Sequence, residues 1–170
     1  MKTIKLKGFS LIEMLVYITI FAIIFLTISS FFIWVIKGNI KNRAIQEVLD
    51  NGRLAMEIIT YEIREAKSIY TPTTTSSQLS LETTKYLPDG ESASYIDFYL
   101  CDNKICFKKE SQEPVAITSD RVVVNNLSFT LIGDGSSFVQ INLDISFKNP
   151  DNRPEYQASV NLKSAASLRN

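Results

Sequence analysis

The chain predicts an α+β fold in which one long N-terminal helix covers an antiparallel β-sheet. Three observations carry that reading. From Met14 to Ile36 no Asp, Glu, Lys or Arg interrupts an apolar run whose polar members are Thr19, Thr27, Ser29 and Ser30. Beyond it, Ile45, Val48, Leu49, Gly52, Ala55, Met56, Ile59, Ile63 and Ala66 recur at three- and four-residue spacing, with charged residues between them. After Ala66 the period changes to two, and short alternating segments follow one another to the C-terminus.

The apolar run is long enough to cross a bilayer, for which about 20 residues suffice. Lys2, Lys5 and Lys7 precede it and no acidic residue comes before Glu13. The positive-inside rule then keeps the N-terminus in the cytoplasm and places the rest outside, as a single span with an extracytoplasmic domain. A cleaved secretory signal fits poorly, because its apolar region covers about 7–15 residues and ends in a small-residue site. A plain anchor accounts for the length and the lysines but not for Glu13. A carboxylate at the centre of a membrane helix costs about 2.5–3.5 kcal/mol, and less near its end.

The helix is expected to continue past the membrane, since no proline occurs before Pro72. From Phe9 to Lys67 it would extend on the order of 90 Å at 1.5 Å per residue. Gly38 and Gly52 are points where it could bend. The polar stretch Tyr70–Ser77 reads as a loop. Ile96, Phe98 and Leu100 then alternate with polar neighbours, as do Leu127, Phe129 and Leu131, and Val139 through Phe147. Tyr156, Ala158, Val160 and Leu162 are expected to form the last strand. Gly133–Ser137 and Asn149–Pro154 supply turns, and short connections make antiparallel neighbours. The apolar face of that sheet needs a cover, and the helix stripe is available.

Composition excludes several chemistries. Eighteen basic side chains balance eighteen acidic ones, so there is no overall basic signature for nucleic acid. Histidine is absent, which removes Ser-His-Asp and Cys-His catalysis and His-containing zinc sites. Two cysteines do not make a structural zinc site by themselves. No catalytic residue, metal site or cofactor is expected. Asp134, or Asp151 with Asn152, has no run of carboxylates at calcium-loop spacing, and turn chemistry explains both.

Cys101 and Cys106 flank Asp102-Asn103-Lys104-Ile105. If Asn103-Lys104 is a two-residue turn, Cys101 faces Cys106 with Cα atoms about 4.5 Å apart, close enough for a bridge. The alternatives are a disulfide stapling an edge hairpin and two half-buried thiols. Lys104, Lys108 and Lys109 with Phe107 and Tyr99 form a basic, aromatic cluster that could touch DNA phosphates. Lysines protecting a hairpin edge are the other reading.

Lys7-Gly8-Phe9-Ser10-Leu11-Ile12-Glu13 resembles the N-terminal signature of type IV prepilins and of the pseudopilins of type II secretion. The resemblance implies that a prepilin peptidase/methyltransferase cuts between Gly8 and Phe9 on the cytoplasmic side and N-methylates Phe9. It implies that Glu13 serves assembly, its carboxylate pairing with the terminal amine of a neighbouring subunit. Glu13 also lies one turn from Phe9 on the same helix face, and an unpaired charge in low dielectric is costly. Losing the leader leaves 15 basic against 18 acidic side chains, a net −3. That acidity argues against a general DNA receptor, though not against a local patch.

The implied organisation is a cleaved leader over 1–8, a transmembrane helix over 9–36, an amphipathic continuation over 37–68 and a β-rich domain over 69–170. The implied partners are other pilins or pseudopilins through the N-terminal helix, and an inner-membrane assembly platform. The chain would then be a non-enzymatic minor pilin or pseudopilin of the cytoplasmic membrane that passes into a filament in the periplasm or at the cell surface. Tyr61-Glu62-Ile63-Arg64-Glu65-Ala66 is loosely similar to the J-class pseudopilins. A DNA-binding competence pilin and a major structural pilin are the alternative readings. Many major pilins carry a kinking proline within the span, and this chain has none there.

Overall fold

A single helix, α1 (Leu11–Glu65), occupies the N-terminal third of the described chain. The computed structural model describes residues 10–85, 87, 89–133 and 138–169. The helix passes through Gly38 and Gly52 without a break, because no proline removes a donor from its ladder. Residues up to Ile40 and residues from Lys41 onward form two compact units. In the first, the helix is apolar on every side, long and apolar enough to cross a membrane, and none of its most apolar window is buried.

In the second unit the helix becomes one-sided. Ala44, Val48, Gly52, Ala55, Met56, Ile59, Glu62 and Ile63 are buried, at the spacing of one helix face. The edge of the stripe is drawn by Ala44 rather than Ile45, which is 38% exposed. The helix ends where Ala66 turns inward and the Lys67 N–H bonds to the Glu82 carbonyl at 2.8 Å, exchanging helix pairing for sheet pairing.

Among the described residues eight strands follow: β1 (Ser68–Ile69), β2 (Gln78–Thr83), β3 (Ser94–Cys101), β4 (Lys104–Lys109), β5 (Val115–Ala116), β6 (Val122–Ile132), β7 (Phe138–Phe147) and β8 (Ser159–Ser167). They make two antiparallel sheets, β1-β2-β3-β4-β5 and β6-β7-β8, rather than one. Leu79, Leu81, Ile96, Phe98 and Ile105 of the first sheet share a single core with Val139, Ile141, Leu143 and Ile145 of the second and with the helix stripe. The α+β class therefore holds, with the helix meeting both sheets.

Two local features keep the apolar faces inward. A bulge between Val124 and Asn126 shifts the register of β6 on β7, so Val122 and Val124 point inward before it and Leu127 and Phe129 after it. At Gly52 the helix comes so close to the second sheet that a Cβ there would lie 2.7 Å from Leu162 Cδ1 and 3.5 Å from Ile145 Cγ2. Gly52 is thus a close-approach site rather than a bend.

Polar ties hold the connections onto the helix. The Ser119 N–H donates to Asn51 Oδ1 at 2.8 Å, the Ser119 hydroxyl to Glu47 Oε1 at 3.3 Å, and Arg121 to Glu47 Oε2 at 3.3 Å. Lys85 binds Glu65 at 3.4 Å and lies 4.5 Å above the Tyr61 ring. Tyr156 belongs to a 3-10 turn over Pro154–Tyr156, not to the last strand, because Pro154 supplies φ for a helical turn and no ladder N–H.

Candidate functional site

Helix α1 opens on a reciprocal pair of hydrogen bonds. The Ser10 N–H donates to Glu13 Oε2 at 3.0 Å, and the Glu13 N–H donates to Ser10 Oγ at 3.3 Å. This is a capping box, in which two of the amides left without a partner at a helix start are satisfied by each other's side chains. A carboxylate in the first turn also meets the positive end of the helix dipole. The signal was present in the sequence as Ser10-Leu11-Ile12-Glu13, the S-x-x-E spacing. Gly8 and Phe9, the residues of the expected cleavage and methylation, lie outside the described residues, as do Lys2, Lys5 and Lys7.

Past Glu13 the helix presents apolar side chains on all sides. Leu26, Ile23, Phe31, Phe21 and Ile18 are each 60% exposed or more, and at about 100° per residue they are spaced right round the helix. Three of its hydroxyls bond back to its own carbonyls. Thr19 donates to the Val16 carbonyl at 2.8 Å, Thr27 to the Ile24 carbonyl at 2.8 Å and Ser30 to the Thr27 carbonyl at 3.0 Å. A segment whose backbone and hydroxyls are satisfied from within is suited to surroundings that offer no hydrogen bonds.

The remaining candidates are divided by the fold. Cys101 and Cys106 form a disulfide with Cα atoms 5.9 Å apart. The turn, however, is Asp102-Asn103 rather than Asn103-Lys104, so Cys101 pairs with Lys104 and Cys106 with Tyr99. The bridge runs diagonally across the hairpin. Both turn residues have positive φ, 47° and 59°, which a type I′ turn requires and which Asp and Asn tolerate better than Lys.

The same register splits the basic cluster. Lys104 and Lys108 lie on the face of the hairpin that carries Tyr99, whereas Phe107 and Lys109 lie on the other. Lys104 is paired with Asp120, and Lys109 lies 5.6 Å above the Phe107 ring. The five side chains do not make one surface for phosphates.

Asp134 is outside the described residues. Asp151 pairs with Arg153 at 3.7 Å, and Asn152, at a φ of 50°, accepts from Gln157 at 3.3 Å. Both residues are engaged in the turn. Among the described residues no three His, Cys, Asp or Glu side chains gather as a metal site would need.

Residues 5–29 match the family model of the prokaryotic N-terminal methylation motif. No curated protein and no solved structure matches the chain. The matched segment spans the lysine-flanked start, the capping box and most of the exposed apolar helix. The chain therefore carries a prepilin-type N-terminal methylation motif on an α+β, pilin-like architecture.

Proposed function

We propose that the chain is a minor pilin or pseudopilin subunit of a type IV pilus or type II secretion-like filament. Its leader, residues 1–8, is removed between Gly8 and Phe9 by a prepilin peptidase, and Phe9 is N-methylated. Residues 9–36 hold the precursor in the cytoplasmic membrane as a single span with its N-terminus inside. Residues 37–65 continue the helix into the body, and the strands from Ser68 onward form an extracytoplasmic β-rich domain. The role is structural rather than enzymatic.

One observation carries this reading. The methylation motif at residues 5–29 coincides with a helix that is apolar all round and exposed along its length. Such a surface needs a cover from outside the chain, first lipid and then the helices of other pilins. Cleavage would place the capping box at the second and fifth positions of the mature chain. Glu13 would then hold its own helix start with one oxygen and offer its charge to a neighbour's terminal amine. An opposite charge in low dielectric rewards the axial register that brings the two together.

The test is the mass of the intact protein and of its N-terminal peptide after extraction from native membranes. A chain beginning at N-methyl-Phe9 is the expected result. A chain that retains residues through Gly8, in a host with a working peptidase, overturns the reading. Glu13→Gln preserves the S-x-x-Q form of the capping box. It is expected to leave the helix start formed and cleavage intact while abolishing incorporation into filaments. Normal incorporation would remove the charge from the assembly step.

A further inference from the structure

Strand β8 is the longest open sheet edge among the described residues. The outer strands of the first sheet, β1 and β5, have two residues each. The far edge of the second sheet, β6, is already engaged: the Val124 N–H bonds to the Asn103 carbonyl at 2.8 Å and the Phe129 N–H to the Ser76 carbonyl at 2.9 Å. By contrast β8 pairs with β7 over Ser159–Ser167 without a register break and has no strand on its other side.

The direction of its backbone groups follows from one bond. The Phe147 N–H donates to the Ala158 carbonyl at 2.8 Å. Antiparallel ladders alternate, so Val160, Leu162, Ser164 and Ala166 also bond toward β7. The N–H and C=O groups of Ser159, Asn161, Lys163 and Ala165 therefore point away from the sheet, and all four side chains are exposed. Unpaired edges are usually protected by proline, bulges or several charges. This one has no proline and a single charge, Lys163.

A shelf lies beside the edge. Ile45, Val48 and Leu49 of α1 and Ala158, Ser159 and Val160 line a groove of about 80 Å³, mostly apolar. Val160 and Leu162 are only partly buried, although their neighbours in β7, Ile145 and Leu143, are 0% exposed. A further strand would satisfy the outward row of amides and carbonyls. Every second side chain would extend the core over this shelf.

We propose that β8 accepts an extended segment of a non-identical partner chain as the fourth strand of its sheet. The segment carries apolar side chains at alternate positions, toward the shelf, and a carboxylate beside Lys163. A second copy of β8 is the wrong occupant. In its longest register such a pair is centred on Lys163 and sets two ammonium groups opposite each other, which is unfavourable. Strand addition gives affinity through the main chain and specificity through alternate side chains. It is independent of cleavage at Gly8, so either can fail without the other.

The experiment uses the full chain in detergent with two synthetic nine-residue peptides of alternating Thr and Val, one with Glu and one with Lys at the centre. Amide exchange is followed residue by residue. In the free chain the Asn161, Lys163 and Ala165 amides are expected to exchange at least tenfold faster than those of Leu162 and Ser164. The Glu peptide is expected to slow them at least tenfold, and the Lys peptide much less. Ala165→Pro removes an outward N–H without touching the ladder to β7, a placement that edge strands tolerate. It is expected to weaken binding at least tenfold with little change in melting temperature. If that variant does not fold, Lys163→Glu provides the reading, with the preference reversed toward the Lys peptide. Unchanged exchange with the Glu peptide, equal binding by Ala165→Pro, or protection of these amides on concentrating the chain alone would each overturn the proposal.

Discussion

The two stretches of α1 make a controlled comparison, because both are helical and rich in apolar residues. Between Leu11 and Ile36 apolar residues occupy every side, and large side chains such as Phe21 and Trp34 are 69% and 73% exposed. Between Val48 and Ile63 the buried ones occupy one face, and Val48, Ala55, Ile59 and Ile63 are at most 1% exposed. Hydrophobicity alone does not say what covers a helix. Its distribution around the axis does: a stripe is matched by the chain's own sheets, and a full cylinder by something else.

Substitution at equivalent residues gives the largest test of this difference. Ile59→Ala should destabilise the body by about 2–5 kcal/mol, because it opens a cavity at a fully buried position. Ile23→Ala, at a position 63% exposed, should leave the unfolding midpoint of the body unchanged. Chemical denaturation followed by tyrosine fluorescence reads both. Equal losses would mean that the apolar stretch supports the body, and the comparison would fail.

The two helix glycines sharpen the same contrast at smaller magnitude. Gly52→Val should cost about 1–3 kcal/mol, since its side chain would press on Leu162 and Ile145. At Gly38 nothing lies within 4 Å of an added Cβ. Gly38→Ala should therefore stabilise the helix locally by up to about 1 kcal/mol. Its mark would be slower amide exchange around residue 38 without a shift in the unfolding of the body.

A still smaller effect separates the exit of the helix from its interior. Glu82 accepts from Lys67 at 2.6 Å and from the Ser68 hydroxyl at 2.7 Å, and these bonds hold its carboxyl below the ordinary value while raising the Lys67 ammonium. A carboxyl lowered by folding adds stability that is present above its ordinary pKa and is lost as pH falls through the folded value. Acid titration of stability should therefore show a modest loss below the ordinary carboxylate range. Glu82→Gln should flatten that loss, and solvent exposure keeps it small. An unchanged acid limb in the variant would remove the pair from the account.

The fold class, the long helix, most of its buried stripe and the later strands were legible because each writes a period into the sequence. The prepilin-type motif was legible because its residues are contiguous. Division into two sheets was not, because alternation tells which side chains share a face and says nothing of which strand lies alongside. The hairpin register failed for a related reason. Cys101 and Cys106 are bridged whether the turn is Asp102-Asn103 or Asn103-Lys104, and only backbone sterics at Lys104 decide between them. Strands β1, β2, β4 and β5 are short or mixed in polarity and gave little alternation to read. The capping box is written in the same contiguous residues, Ser10-Leu11-Ile12-Glu13, where one carboxylate serves both the motif and the helix start.

The unbroken hydrogen-bond ladder of α1 has a mechanical consequence. A helix pulled along its axis carries tension through bonds arranged in series, so its weakest turn yields first. Its junction with the body is loaded in shear: the stripe from Val48 to Ile63 and the clamps of Glu47 and Asn51 on Ser119 must slide together, sharing the load in parallel. The staple between Cys101 and Cys106 closes only the β3–β4 hairpin. A body built this way resists withdrawal of its helix along the helix axis.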